Sequence, residues 1–250
     1  MSTNRAKVVA ITQARMTSTR LPRKVMLEVC GKTLLQHHIE RVQRAKTVDE
    51  VVVATTVNAA DDAIASLCAK LDVRCVRGDE ADVLSRYVLA AREAAADVVV
   101  RVTSDCPLID PDVTDRTIQA FVDRMPAIDY ASNRLVHTYP RGLDTEVLGR
   151  AVLDAAGSEA TRPDDREHVT LFVWRQPTRY RLHNVANDSD LSRLRWTVDT
   201  PEDFELIRRM FETLYPINPR FGLAECLQML AVHPEWERIN AHVQQKMPQL

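Results

Sequence analysis

Residues 7–24 read KVVAITQARMTSTRLPRK, and the change of character at Gln13 decides how the chain is expected to fold. Lys7–Thr12 is a β-branched apolar run, the pattern of a strand covered on both faces. Gln13–Lys24 then turns polar and basic, with Arg15, Arg20, Arg23 and Lys24 among the hydroxyls of Thr17, Ser18 and Thr19. Similar alternations follow. Glu50–Thr56 (EVVVATT), Val73–Val76 and Asp97–Thr103 (DVVVRVT) read as strands. Thr33–Lys46, Asp61–Leu71, Ala81–Ala96 and Asp112–Arg124 read as helices, the first with Leu34, Leu35, Ile39 and Val42 at helical spacing. This βαβα rhythm predicts an α/β, Rossmann-like architecture: a mostly parallel central sheet with helices on both faces. In such open sheets ligands sit beyond the carboxyl ends of the strands, where the basic segment falls.

The second half is less regular. Asp129–Gly142 is loop-rich, Arg162–Trp174 looks helical, and Tyr180–Val185 and Arg195–Val198 look like strands. Thr200–Leu214 is a helix with Thr200 as N-cap, Pro201 at its first position and acids in its first turn. From Phe221 onward an amphipathic helical tail is expected. No linker, repeat or low-complexity stretch divides the chain. The expectation is one domain over 1–250, with a core at about 7–214 and a helical C-terminal extension at 215–250.

The 250 residues, 45% of them hydrophobic, suffice for one large core. Lys plus Arg number 33 against 35 Asp plus Glu, a net charge of -2, which gives no overall footprint for nucleic acid or an anionic membrane. Five cysteines, with no C-x-x-C spacing, argue against a disulfide framework or structural zinc. Met1–Lys7 is polar and lacks the apolar core of a signal peptide, and no run of about 18 apolar residues occurs. A cytoplasmic protein without membrane spans is expected.

Three segments at strand ends carry phosphate and metal chemistry. Gln13–Lys24 supplies cations and hydroxyls at short range, as a triphosphate requires, although such a loop can also be merely solvated. It is no Walker loop, and no G-x-G-x-x-G occurs. Arg101–Pro111 (RVTSDCPLIDP) sets Asp105 in a turn after an apolar strand; alone it reads as a turn-forming aspartate, but it also suits Mg²⁺ held against phosphate oxygens. Arg195–Phe204 (RWTVDTPEDF) places Asp199 before a helix whose N-terminal acids are Glu202 and Asp203. Two further segments suit an acceptor. In Tyr139–Glu146 (YPRGLDTE), Gly142 shapes a turn, and Asp144 and Glu146 would share one strand face, available to sugar hydroxyls. In Asp165–Thr170 (DREHVT), His168 is either a ligand contact or a satisfied buried histidine.

Together QARMTSTRLPRKVM, RGDEADVLSRY, RVTSDCPLID, YPRGLDTEV, DREHVT and RWTVDTPEDF resemble the cytidylyltransferase-type proteins of spore coat polysaccharide biosynthesis, relatives of the acylneuraminate and 3-deoxy-manno-octulosonate cytidylyltransferases. The resemblance runs from Val8 to Leu214 and implies a nucleotide-diphospho-sugar transferase fold. By it, CTP is the donor and a sugar acid the acceptor. Arg15, Arg20 and Lys24 bind the triphosphate, with Gln13, Ser18, Thr19 and Arg77 completing the nucleotide site. Asp105 and Asp199 hold Mg²⁺, and Arg15, Lys24, Asp105 and Asp199 form the catalytic set. Asp144, Glu146, Glu167 and His168 meet the acceptor, and a homodimer is expected. The family usually carries glycine where this chain has Arg23, and often where it has Thr17. Two rival readings are a glycosyltransferase of related fold that consumes a nucleotide sugar, and a non-catalytic nucleotide-binding protein. The absence of an Asp-x-Asp around Asp105 counts against the first; the paired acids and basic loop count against the second.

Overall fold

The computed structural model describes residues 5–245; residues 1–4 of the polar opening segment and 246–250 of the expected helical tail lie outside the described residues. In chain order the elements are β1 (Val8–Gln13), β2 (Glu28–Val29), β3 (Lys32–Thr33), α1 (Leu34–Val42), β4 (Glu50–Thr56), α2 (Asp62–Lys70), β5 (Arg74–Gly78), α3 (Val83–Glu93) and β6 (Val98–Thr103). They continue with α4 (Pro111–Val122), β7 (Tyr130–Ser132), β8 (Glu146–Gly149), α5 (Arg150–Glu159), α6 (Pro163–His168), α7 (Leu171–Trp174), β9 (Leu182–Asn184), α8 (Pro201–Leu214) and α9 (Leu223–Val232).

Seven strands form the main sheet in the order β5-β4-β1-β6-β8-β7-β9, and β2 and β3 form a separate hairpin. The pairings β5–β4–β1–β6 and β7–β9 are parallel; β8 alone is reversed, antiparallel to both β6 and β7. β1 is central because its residues are apolar on both faces. Val8 and Ala10 pack into one core with Ile39, Val53 and Val100, while Val9 and Ile11 pack into the other with Val52, Leu84 and Tyr87. Five of its six residues are buried. The predicted mostly parallel sheet with helices on both sides is therefore the fold observed.

Several expected helices start on side-chain caps. Thr33 caps α1, Asp82 caps α3 and Asp110 caps α4, each accepting from backbone N–H groups of the first turn. At α8, Thr200 and Asp203 form a reciprocal capping box. Asp61, the first residue of the helix expected over Asp61–Leu71, does not cap α2 with its side chain. Its buried carboxylate accepts from Met16 N at 2.7 Å and from the Thr56 hydroxyl, tying the basic loop to the end of β4.

Two expectations are corrected. The helix predicted across 162–174 is two short helices, because Val169 (φ 58°, ψ -61°) makes a strained γ-turn between them and Thr170 N donates to His168 O at 2.6 Å. Residues 195–198 do not join the sheet. Trp196 N donates to Arg141 O and Val198 N to Asp105 O, so this segment threads between two loops. The helical tail expected from Phe221 is present as α9 followed by a 3₁₀ turn at Pro234–Arg238. It packs with α8, Leu34, Leu108 and Trp196 in a third apolar cluster.

Candidate active site

A cavity of about 880 Å³ opens beyond the carboxyl ends of β1 and β6. The loop 14–24 forms one wall. Its backbone is fixed by Arg23 N donating to Met16 O at 3.0 Å and by the Asp61 anchor on Met16. Ser104 donates to Gln13 O at 2.6 Å, joining this loop to the turn after β6. The side chain of Gln13 is itself held by the buried Tyr87 hydroxyl.

On the cavity floor Lys24 Nζ lies 2.8 Å from Asp105 Oδ2 and 2.7 Å from Asp199 Oδ1. Arg20 adds a contact of 2.8 Å to the same Asp199 oxygen. The other Asp199 oxygen meets Arg195 at 2.9 Å. Arg195 is clamped in turn by Asp203, and Asn240 holds both Arg195 O and the Asp203 carboxylate. Asp203 thus does more than face the helix N-terminus: it also accepts from the N–H groups of Asp199 and Thr200, which fixes the turn carrying Asp199. Burial opposes ionisation of Asp105, but the neighbouring Lys24 ammonium overcomes it and holds the carboxyl well below its usual range. Burial likewise opposes the charge on Lys24, and the two aspartates more than compensate, raising its pKa.

Of the sequence-predicted residues, Gln13, Arg15, Ser18, Thr19, Arg20, Lys24, Asp105, Asp144, Glu146, Glu167, His168 and Asp199 all line this one cavity. Arg77 does not. Its guanidinium donates to Thr56 O and Asn58 O, both at 2.8 Å, and pairs with Asp62 at 2.7 Å, so it braces the turn after β4. Within the same motif it is Arg86 that faces the cavity, almost fully buried, with Nε and Nη1 lacking a hydrogen-bond partner. Gly78 makes room for it: a Cβ there would stand 2.8 Å from Arg86 Cγ. The departure at Arg23 is conformational. It adopts φ 60°, a left-handed geometry suited to glycine, and its exposed side chain does not line the cavity.

Glu146 reaches the cavity but is not free to receive sugar hydroxyls. It faces Arg101 across the antiparallel β6–β8 pair and accepts from Arg101, from Arg134 at 2.9 Å, from Tyr130 at 2.7 Å and from Thr170. Burial raises its pKa, but the two guanidiniums prevail and bring it down to about 2. The expected shared face of Asp144 and Glu146 dissolves with this, because β8 begins only at Glu146. Asp144, in the preceding loop, stays partly open, 3.9 Å from His137. Gly142 has φ 104°, and a Cβ on it would lie 2.7 Å from the Trp196 carbonyl carbon, so only glycine lets 141–143 pass against 195–197. His168 is half-buried on the cavity wall, and burial lowers its pKa.

Arg86, Arg101, Arg134, Arg141 and Arg166 also line the cavity, although none was expected there from the sequence. One signal was present: Arg101 interrupts an apolar strand, and an arginine there must find a buried carboxylate. Arg134 lies over Trp174 at 4.6 Å, and Arg166 pairs with Asp82.

A cavity at strand ends, with a cationic loop facing two aspartates, defines a nucleotidyltransferase. The particular family follows from comparison: the cytidylyltransferase profile matches residues 9–231, and the chain belongs to that family. It is 32% identical to the spore coat polysaccharide biosynthesis protein SpsF of Bacillus subtilis, over 91% of this chain and 95% of that one. A cytidylyltransferase structure from Leptospira borgpetersenii superposes with a TM-score of 0.89 at 30% identity, covering 98% of this chain and all of that one. The structure of CMP:2-keto-3-deoxy-manno-octonic acid synthetase complexed with CTP shares the fold, with a TM-score of 0.62 at 22% identity over 84% of this chain and all of that one. Among the described residues, no helix is long and apolar enough to cross a membrane.

Proposed function

We propose that this enzyme transfers CMP from CTP to a sugar acid, releases pyrophosphate, and is assisted by Mg²⁺. The observation that carries the reading is the meeting of Lys24, Asp105 and Asp199 at the floor of the cavity. A 3-deoxy-manno-octulosonate cytidylyltransferase of Solibacter usitatus, 27% identical over 82% of this chain and 95% of that one, supports the substrate class.

The donor set fits the metal. Mg²⁺ favours one or two carboxylates completed by water and substrate phosphates, and Asp105 and Asp199 are two carboxylates already drawn to a single cation. Asp105 keeps 26% of its side chain exposed, enough to meet a ligand. Asp105 and Asp199 would hold the ion, and its charge would supply neutralisation of the phosphate oxygens.

This chain's own groups do the rest. Arg15, Arg20 and Lys24 bind and orient the triphosphate, and Lys24 and Arg20 exchange carboxylate partners for phosphate oxygens. The acceptor hydroxyl oxygen attacks the α-phosphorus and gives up its proton to solvent, its bond to phosphorus forms as the bond to the β-phosphate bridge breaks, and the cationic loop stabilises the departing pyrophosphate. Asp144, Glu167 and His168 face the acceptor. Arg141, which makes no ion pair with a carboxylate among the described residues, is available to an acceptor carboxylate.

The test is pyrophosphate release from CTP, ATP, GTP and UTP, with and without Mg²⁺, across nonulosonic and octulosonic acids. The expected result is release only with CTP, Mg²⁺ and a sugar acid together. Free nucleoside diphosphate made from a nucleotide sugar, or no thermal shift with any triphosphate, overturns the reading. A homodimer, expected from the family, is read by light scattering.

A further inference from the structure

We propose that a second pocket, formed by α1, the end of α8 and the turn at Pro219–Arg220, binds the phosphate group of a small soluble phosphomonoester or inorganic phosphate. This pocket encloses about 240 Å³ and shares no lining residue with the active-site cavity. Four cations line it, Lys32, Arg41, Arg44 and Arg220, against one carboxylate, Glu40. Glu40 is already spent, because both its oxygens accept from Lys32 Nζ, at 2.8 and 2.7 Å. Three guanidiniums are left without a carboxylate partner among the described residues.

Their hydrogen-bonding state points the same way. Arg44 donates through Nη1 to Pro219 O at 3.2 Å, but its Nε and Nη2 are buried and have no partner. Buried donors of a charged group are costly to leave unsatisfied, so the pocket is built around acceptors it does not itself contain. Burial, and then the nearby Arg220, disfavour the charge on Arg44, which an incoming anion would relieve. A phosphate offers several acceptor oxygens and about two negative charges, matching a fork of guanidiniums. One wall is aromatic: His37 lies 4.2 Å from Phe211 and 5.2 Å from Tyr215, leaving an apolar face beside the cations for whatever carries the phosphate. The site is also rigidly set, since Arg41 donates to Ile109 O at 2.8 Å from within the same helix.

The experiment is calorimetric titration of the whole chain with inorganic phosphate, and separately with glucose 1-phosphate, in chloride buffer at low ionic strength. Because phosphate also suits the active-site loop, the titration is repeated in Lys24→Gln/Arg20→Gln. That variant is expected to retain one equivalent of phosphate per chain. Arg44→Gln and Arg220→Gln, each added to that variant, are expected to weaken the retained equivalent about tenfold or more; each made alone in the otherwise native chain is expected to leave turnover in phosphate-free buffer unchanged. Arg220 is exposed and forms no ion pair among the described residues, so its variant tests the site without endangering the fold. Tighter binding of the sugar phosphate assigns the aromatic wall to its organic part; equal binding assigns the site to phosphate alone. Loss of all phosphate binding in the Lys24/Arg20 variant, or unchanged binding in Arg220→Gln, overturns the proposal. Binding is read without catalysis, so its failure is separate from failure of the cytidylyl reading.

Discussion

Asp105 and Asp199, far apart in sequence, are bridged by one ammonium: Lys24 stands 2.8 Å from the first and 2.7 Å from the second. Asp199 also holds Arg20 and Arg195, and its side chain is only 8% exposed. Removing either carboxylate removes a proposed metal ligand and leaves the Lys24 ammonium short of a partner. Asp105→Ala and Asp199→Ala are each expected to lower Mg²⁺-dependent pyrophosphate release by about 10³-fold or more. Asp199→Ala is also expected to cost more stability, about 1–3 kcal/mol in urea unfolding, because Arg195 loses a contact as well. Wild-type turnover in either variant would remove the metal assignment.

The contrast between Arg77 and Arg86 separates bracing from binding. Arg86→Lys keeps a charge but loses the fork that faces the cavity, so KM for CTP should rise about 10- to 100-fold. Arg77→Lys should leave KM for CTP within about twofold and lower stability modestly, by about 1 kcal/mol, through the lost bonds to Thr56 O and Asn58 O. The reverse pattern in steady-state kinetics would restore Arg77 to the nucleotide site.

Glu146 predicts an acid-stability profile. Its folded pKa of about 2 lies below the ordinary 4.5, so the carboxylate contributes stability that is fully present above about pH 4.5 and is lost as pH falls toward 2. The size is on the order of 3 kcal/mol. Glu146→Gln should be less stable at pH 6, because Arg101 and Arg134 lose their shared anion, and its stability should fall less steeply between pH 4.5 and 2.5. Chemical denaturation at both pH values checks this; parallel pH profiles for the two proteins would refute it.

Arg23 occupies a left-handed conformation at no visible benefit to the cavity. Arg23→Gly relieves that geometry and gives back part of the gain in chain entropy, for a net stabilisation of about 0.5–1 kcal/mol. A melting temperature higher by about 1–4 °C, with unchanged turnover, is the expected result. A fall in CTP affinity would instead show that the guanidinium reaches the nucleotide.

Gly142→Ala places a methyl against the Trp196–Thr197 backbone in a conformation alanine resists. The loss should be on the order of 3 kcal/mol. Because Asp144 and Arg141 ride on the same turn, KM for the acceptor should rise more than KM for CTP. Equal changes in both would show that the turn does not orient the acceptor wall.

The sequence by itself determined the frame. Apolar runs such as EVVVATT and DVVVRVT read as buried strands, and the cap at Thr200 marks where a helix starts, because these signals lie within a few residues of what they specify. It also named twelve of the cavity's residues, since loops after parallel strands must emerge on one edge. What only the tertiary structure decided is which groups remain free to act. Arg77 and Arg86 share a motif, yet one is consumed by backbone carbonyls and the other is left facing the cavity. Glu146 looks like an available carboxylate until Arg101, Arg134, Tyr130 and Thr170 converge on it. The clamp of Asp203 and Asn240 on Arg195 joins residues from a loop, a helix start and the tail. Partnership of this kind depends on distances between segments remote in the chain, and no local pattern encodes them.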